Sequence, residues 1–96
     1  GRIVSVDEFP ASRNPTYKLN IDFGELIGLK KSCAQLKQNY LINELVGRLV
    51  LCVMNLPPKQ IGTSISEVLT LGIPDKSNNA VLVSIDQDVP LGAKLY

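Results

Sequence analysis

Three short stretches hold polar side chains at spacings suited to gripping a ligand: Lys31-Ser32 with Gln35, Asn55 with Lys59, and Ser66-Glu67. Ammonium, amide and hydroxyl groups donate to phosphate oxygens or peptide carbonyls, and a carboxylate accepts from peptide N–H groups. Lys30 and Lys37 flank the first stretch and add positive charge. Catalysis has less to work with. The chain has no histidine, which removes the commonest general base at neutral pH, and nothing nominates a titratable partner for Ser66-Glu67. Its two cysteines, Cys33 and Cys52, are far apart in sequence, so a zinc site is not expected. These residues predict a binding protein without metal or cofactor, and not an enzyme.

Each stretch also has a local reading. Lys30-Lys31 fits a solvated strand end. Asn55, ahead of Pro57-Pro58, suits a side chain that satisfies turn backbone. Glu67 opens an apolar strand, where a carboxylate is normally paired or exposed. Both readings stay open at this level.

The elements that must position these groups are mostly strands. Arg2 to Phe9 reads as a strand that begins upstream of Gly1, and Pro10 to Pro15 as a loop. In Tyr17 to Phe23, the residues Tyr17, Leu19, Ile21 and Phe23 alternate with Lys18, Asn20 and Asp22, putting four apolar groups on one face. Gly24 to Gly28 makes a hairpin connection to a strand over Leu29 to Leu36, on which Lys31, Cys33 and Gln35 share a face opposite Ser32 and Ala34. Ile42 to Val46 fits a short helical turn ended by Gly47, or a simple turn. Leu49 to Asn55 is apolar up to Met54, as in a strand covered on both sides. Two prolines make residues 55–58 irregular. Ser66 to Leu71 reads as one strand, Gly72 to Asn79 as a turn, and Ala80 to Ile85 as the last strong strand, with a turn at Pro90-Leu91-Gly92 before the tail. Ser64-x-x-Glu67 matches a capping box, but barely one turn follows before Gly72, so a helix is rejected there. Besides the four residues of the Tyr17 strand, the expected core holds Val50, Val53, Leu69, Leu71, Leu82 and Ile85.

Ninety-six residues, 45% of them hydrophobic, suit one domain over residues 1–96 with its own core. Closing the strands into a barrel protects their edges. The longest apolar run, Leu49 to Met54, falls far short of the roughly 20 residues of a membrane helix. No secretory signal is seen at the N-terminus, so a cytoplasmic protein without membrane insertion is expected. In that setting Cys33 and Cys52 read as reduced core thiols, with a disulfide left open. Net charge is +1, with eight basic against five acidic residues in 1–59 and two against four in 60–96, so a strong polyanion footprint is absent.

The ordered set Tyr17-Lys18-Leu19-Asn20-Ile21-Asp22-Phe23-Gly24, Lys31-Ser32-Cys33-Ala34-Gln35-Leu36, Glu44-Leu45-Val46-Gly47-Arg48, Asn55-Leu56-Pro57-Pro58-Lys59-Gln60-Ile61, Ser66-Glu67-Val68-Leu69-Thr70-Leu71-Gly72 and Val89-Pro90-Leu91-Gly92 resembles the tRNA-binding OB (oligonucleotide/oligosaccharide-binding) domain family. That domain occurs free-standing and as an appendage of methionyl-tRNA synthetases. Within the family the sequence is most similar to the CsaA-type export-related chaperones. Synthetase appendages usually read Ser-Glu-Gly-Met where this sequence has Ser66-Glu67-Val68-Leu69, and they are more basic after the proline turn. The resemblance implies an all-β, five-stranded OB barrel with one short helix and extra C-terminal strands, lacking the family's N-terminal segment. It also implies a binding face that includes Ser66 and Glu67.

Two functions follow from the resemblance. One is a chaperone-like module that holds unfolded or export-destined polypeptides, consistent with near-neutral charge and the uncharged Leu49–Met54 stretch. The other is tRNA binding, served by Lys30, Lys31, Lys37 and Lys59. Of the aromatic residues Phe9, Tyr17, Phe23, Tyr40 and Tyr96, Tyr17 and Phe23 belong to the core pattern, which leaves few platforms for stacking bases. The resemblance further implies a homodimer, and the outward side of Leu49–Met54 needs cover of that kind.

Overall fold

A computed structural model of the protein describes residues 1–10 and 15–95. Residues 11–14 of the expected loop between Pro10 and Pro15 lie outside the described residues, as does Tyr96.

The period-two pattern of the Tyr17 stretch becomes strand β2, Tyr17–Asp22, with Tyr17, Leu19 and Ile21 buried and the residues between them half-exposed. Antiparallel neighbours lie on both sides: β1, Arg2–Glu8, and β3, Leu29–Ala34. The register of β1 shifts between Ile3 and Ser5, so Ile3 and Val6, three residues apart, both face the core opposite Ile21 and Leu19. The β2–β3 connection is the expected turn, with Phe23 N–H donating to Gly28 O at 3.0 Å.

Helix α1, Ile42–Leu45, is a single turn whose Glu44 carboxylate accepts the Leu41 N–H at 2.8 Å. Its Leu45 is fully buried and joins the core with Ile3, Leu19, Ile21 and Val50. Gly47 ends the helix at φ +90°.

Beyond α1 the backbone is more broken than its sequence suggests. The stretch expected as one strand from Leu49 to Asn55 pairs in a ladder only at β4, Cys52–Val53. Its first part bonds elsewhere: Leu49 bridges Arg2, and Val50 N–H donates to Gly1 O at 2.8 Å. The stretch expected as one strand from Ser66 to Leu71 divides into the end of β6, Ser64–Ser66, and β7, Leu69–Thr70. Strand β5, Lys59–Ile61, pairs with β6, and β7 pairs with β4, so the backbone switches partner at Glu67-Val68. Gly72–Pro74, read as part of a turn, forms β8 and pairs with β9, Ala80–Leu82, in a C-terminal hairpin.

These segments follow one another round a circuit of backbone hydrogen bonds. Ile3 N–H donates to Arg48 O at 3.0 Å, Leu71 N–H to Leu51 O at 2.9 Å, and Glu67 N–H to Lys31 O at 2.8 Å. The circuit therefore runs from β1 through the Leu49 stretch, β4 and β7 to the 66–68 segment, then by β3 and β2 back to β1. Of the expected core, Tyr17, Leu19, Ile21, Phe23, Val50 and Leu82 are buried, while Val53, Leu71 and Ile85 are half-buried. Leu69 is a correction: it is 49% exposed, because β7 belongs to a two-stranded sheet open on one face.

The tail turn at Leu91-Gly92 docks on the Phe23-Gly24 turn. Gly92 has φ +80°, and a Cβ there would collide with the Phe23 carbonyl oxygen; Gly47, also at positive φ, faces open space. Gly47→Ala should therefore cost about 1–2 kcal/mol for its backbone conformation alone. Gly92→Ala should cost clearly more, read from urea-unfolding midpoints. Equal losses would mean that the tail turn is not seated on Phe23.

Candidate binding groove

The residues nominated from sequence do not all meet. Gln35, Lys59, Ser66 and Glu67 line one groove of about 640 Å³, whose walls also include Leu36, Leu56, Pro57, Ile61, Leu69 and Leu82. Lys31 opens instead onto a smaller depression of about 210 Å³ on the outer face of the three-stranded sheet, beside Lys18, Asn20 and Cys33. The two hollows share Cys33. Asn55 lies apart, at a third groove of about 610 Å³ between the Leu49–Met54 stretch and the tail. The residues between Asn55 and Lys59 turn the backbone from that groove to this one.

Ser32 sits inside the molecule, 1% exposed, because its register opposite Leu19 turns it to the core. Its hydroxyl lies 2.8 Å from the Thr70 hydroxyl, so it ties β3 to β7 and is not offered to a ligand.

Ser66 and Glu67 have structural duties. Ser66 Oγ accepts the Cys33 N–H at 3.0 Å and donates to Val68 O at 3.0 Å. Glu67 Oε1 accepts the Lys31 N–H at 3.0 Å. Lys31 O in turn accepts N–H groups from Glu67 and Val68. Two side chains thus replace the backbone carbonyls that a regular strand would present to the β3 edge, since β6 has turned away to pair with β5.

The basic side chains divide in the same way. Lys37 pairs with Glu8 and lies 5.8 Å over the Tyr17 ring, and Lys18 lies 5.5 Å over Phe9. Lys30 sits on the inner side of β3 by its register with Ile21. Lys59 is exposed on β5 and has no ion pair among the described residues.

The far wall of the groove, formed by Ala80 and Leu82 of β9, is pinned from residues 39–40. Leu82 N–H donates to the Tyr40 hydroxyl at 2.9 Å, and Asn39 Nδ2 donates to Ala80 O and to Asp75 Oδ2, each at 3.0 Å. Asp75 also accepts N–H groups from Asn79 and Ser77. These hydrogen bonds, the Asn79 backbone N–H foremost, hold its carboxyl below the usual range. Its support for the hairpin is present above the ordinary carboxylate pKa and is lost as pH falls through the lowered one. Cys33 and Cys52 are both free thiols, and burial pushes the Cys52 thiol up against the opposing hydrogen bond from Thr70. Among the described residues no cluster could hold a metal ion, and no helix is long and apolar enough to cross a membrane.

The apolar half of the groove escaped sequence reasoning. Leu56, Pro57, Ile61 and Leu69 bear no chemical signature, and only the proline break hinted that Leu56 leaves the core.

A binding module with an apolar groove on an OB-fold frame is the class these features define. The family model described as "Putative tRNA binding domain" matches residues 1–94. The crystal structure of chaperone CsaA from Bacillus anthracis superposes with a TM-score of 0.92 at 38% identity, covering 100% of this chain and 86% of that one. The CsaA chaperone protein of Picrophilus torridus gives 0.91 at 41% identity, covering 99% and 86%. A methionine–tRNA ligase of Methanococcus maripaludis is 32% identical over 96 residues, and the chain spans only 14% of that enzyme's length. The chain belongs to the tRNA-binding domain family, within its CsaA type.

Ser66→Ala leaves the half-buried Cys33 N–H without an acceptor and should cost about 1–3 kcal/mol in denaturant unfolding. Glu67→Gln keeps an oxygen for the Lys31 N–H and should cost less. The reverse ranking would contradict the structural roles given to this pair.

Proposed function

We propose that the protein is a single, non-enzymatic binding domain that holds apolar stretches of unfolded or export-destined polypeptide in this groove, as a chaperone in the cytoplasm. The observation that carries the reading is the exposed apolar surface along the groove. Leu56 and Leu69 on its lining are 47% and 49% exposed, with Ile61 half-buried in the same wall. Ser66 and Glu67 shape the groove, while Gln35 and Lys59, with Lys31 nearby, remain as ligand contacts.

The family match and the outer-face pair Lys18 and Lys31 favour a second reading, tRNA binding. Against it, the described aromatic rings offer little to stack a base: Phe9, Tyr17 and Phe23 are buried, and the half-buried Tyr40 has the Arg48 guanidinium 5.2 Å over its ring. Titrating labelled, reduced unfolded lactalbumin and labelled tRNA at low and moderate salt separates the two. Peptide capture should change little with salt, because burial of apolar surface drives it. Affinity for tRNA alone, falling steeply with salt, would favour the second reading.

The proposal extends to a symmetric homodimer. Leu49, Leu51, Val53 and Met54 line the third groove with Ile27, Leu91 and Leu95, and the last is 77% exposed. Leu49, Leu51, Val53 and Met54 are already half-buried, so covering them would contribute less than the ~1.5–3 kcal/mol each of a fully exposed side chain. Light scattering at micromolar concentration should give twice the monomer mass of 10.5 kDa. A mass that stays near 10.5 kDa as concentration rises would retire the dimer.

A further inference from the structure

The polar atoms of the 640 Å³ groove are unequally available. Ser66 is committed at its hydroxyl to Cys33 and Val68, and Thr70 to Ser32. Glu67 is half-buried and gives one oxygen to the Lys31 N–H. Lys59 differs from all of these. It is exposed on β5, lies among Leu56, Pro57 and Ile61, and has no ion-pair partner among the described residues. An ammonium has three donors and no acceptor, so the group that complements it is an anion. A polyphosphate would need several such cations in a row, and this groove offers one. A single carboxylate on an otherwise apolar segment matches one cation on an otherwise apolar wall.

Resting on the reading of this groove as a polypeptide site, we propose that it prefers apolar segments bearing one carboxylate, which pairs with Lys59. The carboxylate comes from an Asp or Glu side chain or from the C-terminal end of the bound polypeptide. A lysine or arginine at the same place would set two cations against each other and weaken binding. The apolar wall supplies affinity for any hydrophobic segment, and Lys59 discriminates among them.

The test uses four fluorescent peptides of about eight residues with one shared apolar core. One ends in a free C-terminal carboxylate, and three are amidated after Glu, Gln or Lys. For an exposed pair the free acid and the Glu peptide should bind about two- to fivefold tighter than the Gln peptide, and the Lys peptide weaker than it. Tighter binding by only one of the two acids identifies the source of the carboxylate. High salt should erase the differences and leave the common affinity. Lys59→Gln should level the series and Lys59→Glu should invert it. Both variants lie at an exposed position, and thermal melting verifies that they are folded. Equal binding of all four peptides to the unaltered protein overturns the carboxylate preference and leaves the groove reading standing. An unchanged order in Lys59→Glu overturns the role of Lys59. Binding of none of them overturns both.

Discussion

The outer edge of β3 presents the N–H groups of Lys31 and Cys33 and the carbonyl of Lys31 to a neighbour that is not a regular strand. Left without partners in a partly buried seam, each such group would cost about 1–3 kcal/mol. Glu67 and Ser66 side chains take the two N–H groups, and the Lys31 carbonyl takes two N–H groups at once. This arrangement lets the strand break at Glu67-Val68. The break in turn frees β6 to pair with β5 and β7 to pair with β4. The groove exists because the strand is interrupted there, since its walls come from segments on both sides of the interruption.

That seam also shapes the electrostatics. Of the groups that look like ligand contacts in the sequence, those with the shortest internal partners have little left to give. A site whose hydroxyls and one carboxylate oxygen are engaged within the protein presents mainly carbon to solvent, with Lys59, Gln35 and the second Glu67 oxygen as its open polar functions. Such a surface gains free energy by removing apolar area from water, a non-directional interaction that suits ligands of varied sequence.

Alternation made the most local features legible. The inward set of β2 and the turn at Gly24–Gly28 depend on neighbours within a few residues, and both stand as the sequence implies. The same holds for α1, which Gly47 stops at positive φ. What alternation cannot reveal is which strand a segment pairs with. Leu49–Asn55 and Ser66–Leu71 each look continuous because hydrophobicity does not record a change of partner. The exposure of Leu69 and the unforeseen strands Lys59–Ile61 and Gly72–Pro74 follow from the same ambiguity. Site residues are affected twice. Ser32 falls on the opposite side of its strand from Lys31, as alternation requires, yet the face it occupies is the core. Asn55 groups by sequence proximity with Lys59, although the two prolines between them lead the backbone from one groove to another.

The two large grooves have no lining residue in common, and the thin sheet of β4 and β7 stands between them. Cys52 and Val53 line one, while their register partners Thr70 and Leu69 line the other. A second copy covering the tail side would therefore not compete sterically for the surface that Lys59 overlooks. The connection between the sides is polar and short: Cys52 Sγ lies 3.6 Å from Thr70 Oγ1, which lies 2.8 Å from Ser32 Oγ. The tail itself is anchored by close backbone approach at Gly24 and Gly92 and by an exposed Arg2–Asp88 pair at 3.6 Å that contributes little. Its hold on the Leu49–Met54 stretch thus comes from shape and apolar contact, which salt does not weaken. In a protein built this way, ionic strength should act little on the fold, because charge is sparse wherever apolar surface is buried.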